Sequence, residues 1–205
     1  MTTVAGAAQI VGWLKADPVR WGLLEHVRDL RLPDCWIAAG FVRNMVWNIL
    51  HHRRAELSGD VDVIWFDRSD AGEALDRDLE ARLRRLAPDI DWSVKNQARM
   101  HGRNGDAPYA CAEDAMRFWP ETATTIAVRR TAGDGCDLIA PFGLDDLLTL
   151  TLRPAGAFAG AKRPIFDSRL REKRWMLDFP ELRLADRVLT PPPPAWPSPA
   201  PPRSP

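Results

Sequence analysis

Two neighbouring segments constrain this chain more than any other feature. In Cys35-Trp-Ile-Ala-Ala-Gly-Phe-Val-Arg-Asn44 an apolar run stops at Gly40 and continues at helical spacing. A short helix later comes Gly59-Asp-Val-Asp-Val-Ile-Trp-Phe66. The first reads as a strand that turns directly into a helix, and the second as a strand carrying Asp60 and Asp62 at i and i+2. Side chains two apart on a strand share a face, with Cα atoms roughly 6.5–7 Å apart. Val61 and Val63 then point the other way, into a core. Paired carboxylates of this kind can bind Mg²⁺, and a helix start beside them can hold a phosphate. Phosphoryl or nucleotidyl transfer is the chemistry that uses both.

The chain has 205 residues, enough for one domain with a small appendage. Its Lys+Arg and Asp+Glu totals are both 28, a formal net charge of zero. That balance lacks the broad basic field of a general nucleic-acid binder, so DNA is not expected as a partner. Cys35, Cys111 and Cys136 are widely spaced, and the four histidines complete no zinc pattern. Unpaired thiols, no apparent signal peptide and no apolar run of about twenty residues lead to an expectation of a cytoplasmic protein without a membrane span.

Helices and strands alternate along the chain. Residues 4–15 read as a helix, and Asp17-Pro18 supplies the N-cap and first-turn proline of a second, ending near Leu32-Pro33. Cys35–Ala39 and Asp60–Phe66 read as strands flanking a helix from Phe41 to about His51. Asp70 is positioned to cap a helix of about sixteen residues, with Leu75, Leu79, Leu83 and Leu86 at helical spacing. Asp91–Gln97 reads as a strand, Ala112–Trp119 as a short helix, and Thr125–Arg129 with Cys136–Ala140 as a hairpin around Gly133-Asp-Gly135. Gly143–Leu152 and a basic stretch near Asp167–Leu177 read as helices. This order predicts an α/β (α+β) fold with a mixed sheet and flanking helices. Residues 1–187 are expected to form the domain and 188–205, rich in proline, a disordered tail.

The two opening segments resemble the nucleotidyltransferase superfamily typified by DNA polymerase beta. Locally they look most like the Gly-Gly-x-Val-Arg-Asp turn of tRNA CCA-adding enzymes. Ala39 and Gly40 stand at its two glycines, Val42 and Arg43 match it, Asn44 replaces its acid, and Asp60 and Asp62 match the metal-binding pair. A longer likeness covers most of residues 20–185. Trp92-Ser-Val-Lys-Asn-Gln-Ala-Arg-Met-His101, Trp119-Pro-Glu-Thr-Ala-Thr124 and Ala140-Pro-Phe-Gly-Leu-Asp-Asp-Leu147 resemble a bacterial family of nucleotidyltransferase-like proteins with no assigned substrate.

The resemblance implies a polymerase-beta-like fold and transfer of a nucleoside monophosphate from a nucleoside triphosphate to a hydroxyl. The acceptor could be a small molecule, a protein or RNA. A catalytically impaired nucleotide-binding protein on the same fold is the alternative. Mg²⁺, with Mn²⁺ as substitute, is the implied cofactor, held by Asp60, Asp62 and a third carboxylate. Position 93, attractive for that third acid, is Ser93. Asp137 is the first choice in its place, ahead of Asp91 and Asp89. Gly40, Phe41, Arg43 and Asn44 are the implied nucleotide contacts, with Lys95 and Asn96 as further cleft candidates. The nine tryptophans read mainly as core, with stacking on a base left open to Trp65 or Trp92.

Overall fold

The computed structural model describes residues 2–69, 72–186 and 189. Of the segment 188–205 expected to be a disordered tail, Leu189 is among them and forms a β-bridge with Ala155; the rest of that segment and the proposed cap Asp70 lie outside them. Helices α1 (Thr2–Ala16) and α2 (Pro18–Arg28) are separated at Asp17, whose carboxylate accepts a hydrogen bond from the Arg20 amide at 3.0 Å. Strand β1 (Trp36–Ala38) runs into α3 (Gly40–Leu50), and β2 (Val61–Trp65) follows. Helix α4 (Glu73–Leu86) leads to β3 (Trp92–Asn96). Two short helices, α5 (Met100–Asn104) and α6 (Ala112–Met116), precede the hairpin of β4 (Ala127–Arg130) and β5 (Cys136–Ile139).

These strands form one mixed sheet in the order β3-β2-β1-β4-β5. Only the β2–β3 pair is parallel; β1–β2, β1–β4 and β4–β5 are antiparallel. The parallel pair follows from α4, which supplies the crossover that parallel neighbours require. The expected mixed α/β architecture is therefore the one observed.

The two faces of the sheet are covered unequally. Ile37, Val61, Val63, Trp65, Trp92 and Val94 pack beneath α1 to α4 in the main core. Trp36, Ala38, Ile64 and Ala127 meet only a small cluster with Ala112 and Met116 of α6. Asp62 alternates with Val61 and Val63, so it projects on the thinly covered side. Trp65 and Trp92 are each 1% exposed, so both are core residues, and neither is open to stack on a base. The Trp65 indole N–H donates instead to the buried Asp76 carboxylate at 2.8 Å.

The C-terminal third departs most from expectation. The helix expected over Gly143–Leu152 is the single turn α7 (Asp145–Leu148). Leu150, at φ 54°, redirects the chain into β6 (Thr151–Leu152). The expected basic helix is α8 (Arg163–Lys173) and α9 (Trp175–Asp178), broken at Arg174 with φ 52° and ψ 23°. That left-handed residue turns Trp175 inward, where it packs edge-on against Trp47 of α3 at 6.0 Å. Strand β7 (Arg183–Leu184) closes this region by pairing in parallel with β6.

The junction between β1 and α3 is the tightest point of the fold. The Ala39 amide still donates to the Ile126 carbonyl just before β4 at 2.9 Å, while its own carbonyl already accepts from the Arg43 amide of the helix at 3.0 Å. Serving both elements forces Ala39 to φ 55° and ψ −119°, a conformation that favours glycine. A non-glycine residue there costs about 1–3 kcal/mol, whereas Gly loses about 0.4–1 kcal/mol through the unfolded chain. Ala39→Gly should therefore raise stability in urea unfolding by about 1 kcal/mol, and Ala39→Val should lower it. A stability loss in Ala39→Gly would contradict the strain.

Candidate active site

Asp62 is the centre of the site because three strands fix it. It pairs with Ala38 on β1, the residue before the Ala39–Gly40 turn, and with Ser93 on β3. Asp60 precedes β2 in the loop that carries Ser58 and Gly59. Asp60 and Asp62 line one cavity of about 620 Å³ together with Ala39, Gly40, Arg43 and Asn44. The acidic pair and the helix start therefore share a wall of the same cavity.

Helix α3 has no side-chain cap at its start. The Val42 and Arg43 amides donate to the Ala39 carbonyl at 3.3 and 3.0 Å, which leaves the Gly40 and Phe41 amides as the first-turn donors available to an anion. A Cβ at Gly40 would meet the Arg43 guanidinium at 3.4 Å and the Asn44 amide at 3.6 Å, in van der Waals contact with both groups that line the cavity.

Arg43 is buried and heavily tied. Its Nη1 donates to Thr124 Oγ1 at 3.0 Å, and its Nε and Nη2 donate to Asn44 Oδ1 at 3.2 and 2.9 Å. Its guanidinium lies 4.6 Å from the Trp175 ring and 5.1 Å from Trp47. Burial pulls the Arg43 guanidinium down to about 10, with Glu121 opposing that fall, so it remains a cation at neutral pH. Asn44 extends the same network by donating to the Ser58 carbonyl at 3.4 Å.

The other expected site residues divide. Lys95 lines a second cleft of about 250 Å³, which meets the first at Ala39, Asp62, Thr124 and Arg169. Asn96 is fully buried: it donates to the Asp67 carbonyl at 2.8 Å and accepts from the Ala98 amide at 3.0 Å. Those bonds make it a structural residue outside both cavities. The Phe41 side chain is in the core, 1% exposed, and can offer the cavity only its backbone.

Asp137 is not brought to the pair. It sits on β5, three strands from β2 across the sheet, or about 14 Å at the usual strand spacing. There it binds Arg129 at 2.8 Å. Asp91 and Asp89 are exposed before β3, and neither lines the cavity. Ser93 instead hydrogen-bonds the Asp62 carboxylate. Among the described residues no group of three or more His, Cys, Asp or Glu is arranged to hold a metal.

Sequence reading missed the cations on the far wall. Arg169 and Lys173 of α8 line the cavity, as do Arg53 and Trp175. The basic composition of α8 was visible, but only the fold, with Arg169 bonded to buried Glu121 and Trp175 packed on Trp47, shows which face looks inward.

Burial, followed by the neighbouring Asp60 charge, pushes the Asp62 carboxyl up to about 6; Arg43, the Ser93 hydroxyl and Lys173 pull it back. A carboxyl whose folded value lies above its unfolded one destabilises the fold when it ionises. That cost is absent below about pH 4, grows as pH rises, and is complete above about 6, where it reaches at most about 3 kcal/mol. Asp62→Asn should therefore stabilise the protein at pH 8 by about 1–3 kcal/mol and give no gain near pH 4. Thermal unfolding across this range checks it; a pH-independent difference would contradict the burial of an ionised Asp62.

This mixed sheet, with two acids beside a strand-to-helix turn, is the architecture of a nucleotidyltransferase domain. The chain belongs to the nucleotidyltransferase family, whose model matches residues 25–184. It is also similar to the NMR structure of a protein said to reveal a CCA-adding enzyme head domain, with a TM-score of 0.78 and 32% identity. That match covers 87% of this chain and 95% of the other. A Thermotoga maritima CCA-adding enzyme complexed with tRNA matches at TM-score 0.54 and 16% identity, over 87% of this chain and 42% of that one. A CCA-adding enzyme with CTP matches at 0.55 and 15%, over 87% and 43%. The chain spans less than half the length of these two enzymes, and their low identity bears on the fold alone. No curated protein is a significant match.

Proposed function

We propose that this protein moves a nucleoside monophosphate from a nucleoside triphosphate to a hydroxyl acceptor in a metal-dependent reaction. The observation that carries the reading is the shared cavity of Asp60, Asp62 and the α3 start. In the reaction the acceptor oxygen bonds to the α-phosphorus, the bond to the β-phosphate bridging oxygen breaks, and pyrophosphate leaves.

The donor set fits Mg²⁺ or Mn²⁺. Two neighbouring carboxylates are hard oxygen ligands, and the raised Asp62 marks negative charge that a cation would compensate. Asp60 and Asp62 would hold the ion, with substrate phosphates among its remaining ligands. When bound, it supplies charge neutralisation at the phosphates and acidifies a nearby hydroxyl.

The remaining work falls to the chain. The first-turn amides of α3 hydrogen-bond phosphate oxygens, and Gly40 keeps that approach open. Arg43 adds a fixed cation whose position Thr124 and Asn44 hold. Ionised Asp62 can orient the acceptor hydroxyl and take its proton at a carboxylate oxygen, and Ser93 fixes that carboxylate. The 250 Å³ cleft on the β3 side of Asp62, with Lys95 on its wall, receives the acceptor. The matched CCA-adding enzymes with tRNA and with CTP make RNA and ribonucleotides the first acceptor and donor to try. A small-molecule or protein acceptor remains compatible with the neutral overall charge.

One observation favours a second reading. Ser93 stands in register with Asp62 where a third acid would complete the metal site, which suits a nucleotide-binding protein without transfer activity. The two separate in one experiment with α-labelled triphosphates, Mg²⁺ and a panel of hydroxyl acceptors. Transfer should occur with the wild type and fall by at least about 100-fold in Asp60→Ala and Asp62→Ala, since metal stabilisation is worth several kcal/mol and each 1.4 kcal/mol is tenfold. Mg²⁺-dependent binding without transfer would favour the second reading, and absence of nucleotide binding would contradict both.

A further inference from the structure

Helix α8 brings two cations to the cavity wall from a part of the chain that the acidic pair does not involve. Arg169 and Lys173 are one turn apart and both line the cavity, so they share the inward face of the helix. Arg169 also lines the acceptor cleft, and so stands where the two spaces meet at Asp62. Lys173 lines the larger cavity only. It is exposed and forms no ion pair among the described residues.

Arg169 is held from behind. Its Nε donates to Glu121 Oε1 at 2.6 Å and its Nη2 to Oε2 at 3.3 Å. Glu121 is fully buried, and its partner reaches it across 48 residues of sequence. This two-point contact fixes the guanidinium plane and leaves Nη1 for another ligand. The Trp175 ring lies 4.6 Å from the Arg43 guanidinium and 5.8 Å from that of Arg169, so one aromatic ring packs against both cations. A fully buried carboxylate that hydrogen-bonds Arg169, and whose charge also favours the buried Arg43 cation, is a costly arrangement unless the cations of this wall must be held in place.

We propose that Arg169 and Lys173 form a pyrophosphate-binding clamp, with Glu121 as the positioning residue for Arg169. The inference deepens the nucleotidyl-transfer reading and rests on it. An anion in the cavity would lie between the α3 amides and the α8 cations. Arg169, at the junction, meets the phosphate nearest the reacting centre, and Lys173 meets the outer phosphates. The clamp therefore recognises the group that the reaction expels, independently of the base attached to it.

Inorganic pyrophosphate is the direct probe, titrated calorimetrically into the full chain with Mg²⁺ present. Lys173→Gln, a surface change, should weaken binding about five- to tenfold. Arg169→Gln alone leaves Glu121 buried and unpaired and can compromise folding, so the paired variant Glu121→Gln with Arg169→Gln carries that arm. It should weaken binding at least about 30-fold while unfolding cooperatively. Glu121→Gln alone should weaken binding, yet add nothing in the Arg169→Gln background, as expected of a residue that acts through its partner. Wild-type affinity in both Lys173→Gln and the paired variant would overturn the clamp and leave a merely structural ion pair. If those variants behave so while the wild type still binds triphosphates, the transfer reading survives and the clamp alone falls. A wild type that binds neither pyrophosphate nor triphosphate overturns both.

Discussion

The alignment of Ala38, Asp62 and Ser93 across three adjacent strands is the constraint from which the site follows. Because β1 and β2 are antiparallel, the end of β1 lies beside the start of β2. The strand-to-helix turn that follows Ala38 is thereby placed next to Asp60 and Asp62. Because β2 and β3 are parallel, Ser93 comes up on the other side of the same carboxylate. A one-residue slip in either pairing would turn Asp62 into the core and Val61 or Val63 into the cavity. The core face of Val61, Val63 and Trp65, each 1% exposed or less, locks the register that the site requires.

Electrostatics then divides the cavity. Asp60 and Asp62 lie on the β2 wall, cations lie on the α3 and α8 walls, and Asp178 of α9 adds one acid on the far side. The formal net charge of zero conceals this separation, because it counts residues and not their positions. Asp62 is raised by burial and by Asp60, whereas Arg43 is lowered by burial. Each group is therefore held in an environment that opposes its own charge. A bound cation beside the acids and a bound polyanion beside the basic groups would relieve both.

Much of this was legible in the sequence where the signal is local. Strand alternation placed Asp62 opposite Val61 and Val63, and the glycine after an apolar run located the α3 start. Ala39 at the position of a glycine in the resembling motif is matched by its positive φ. The failures share a cause. The sequence pattern places Asp137 on the second strand of a hairpin, but the strand order that puts β5 three places from β2 is a tertiary fact. Asn96 and Phe41 looked available by proximity in sequence, yet their partners lie in the loop after β2 and in the core. Arg169 and Lys173 sat in an ordinary basic helix, and only the left-handed break at Arg174 and the packing of Trp175 on Trp47 bring that helix against the site.

The central claim is that Asp60 and Asp62 hold a divalent cation beside the α3 start. The most direct measurement is anomalous diffraction from crystals grown with Mn²⁺ and a non-hydrolysable nucleoside triphosphate. The account predicts an anomalous peak bridged by both carboxylates, with the triphosphate against the Gly40 turn. A nucleotide bound elsewhere, or a Mn²⁺ peak remote from both aspartates, would contradict it.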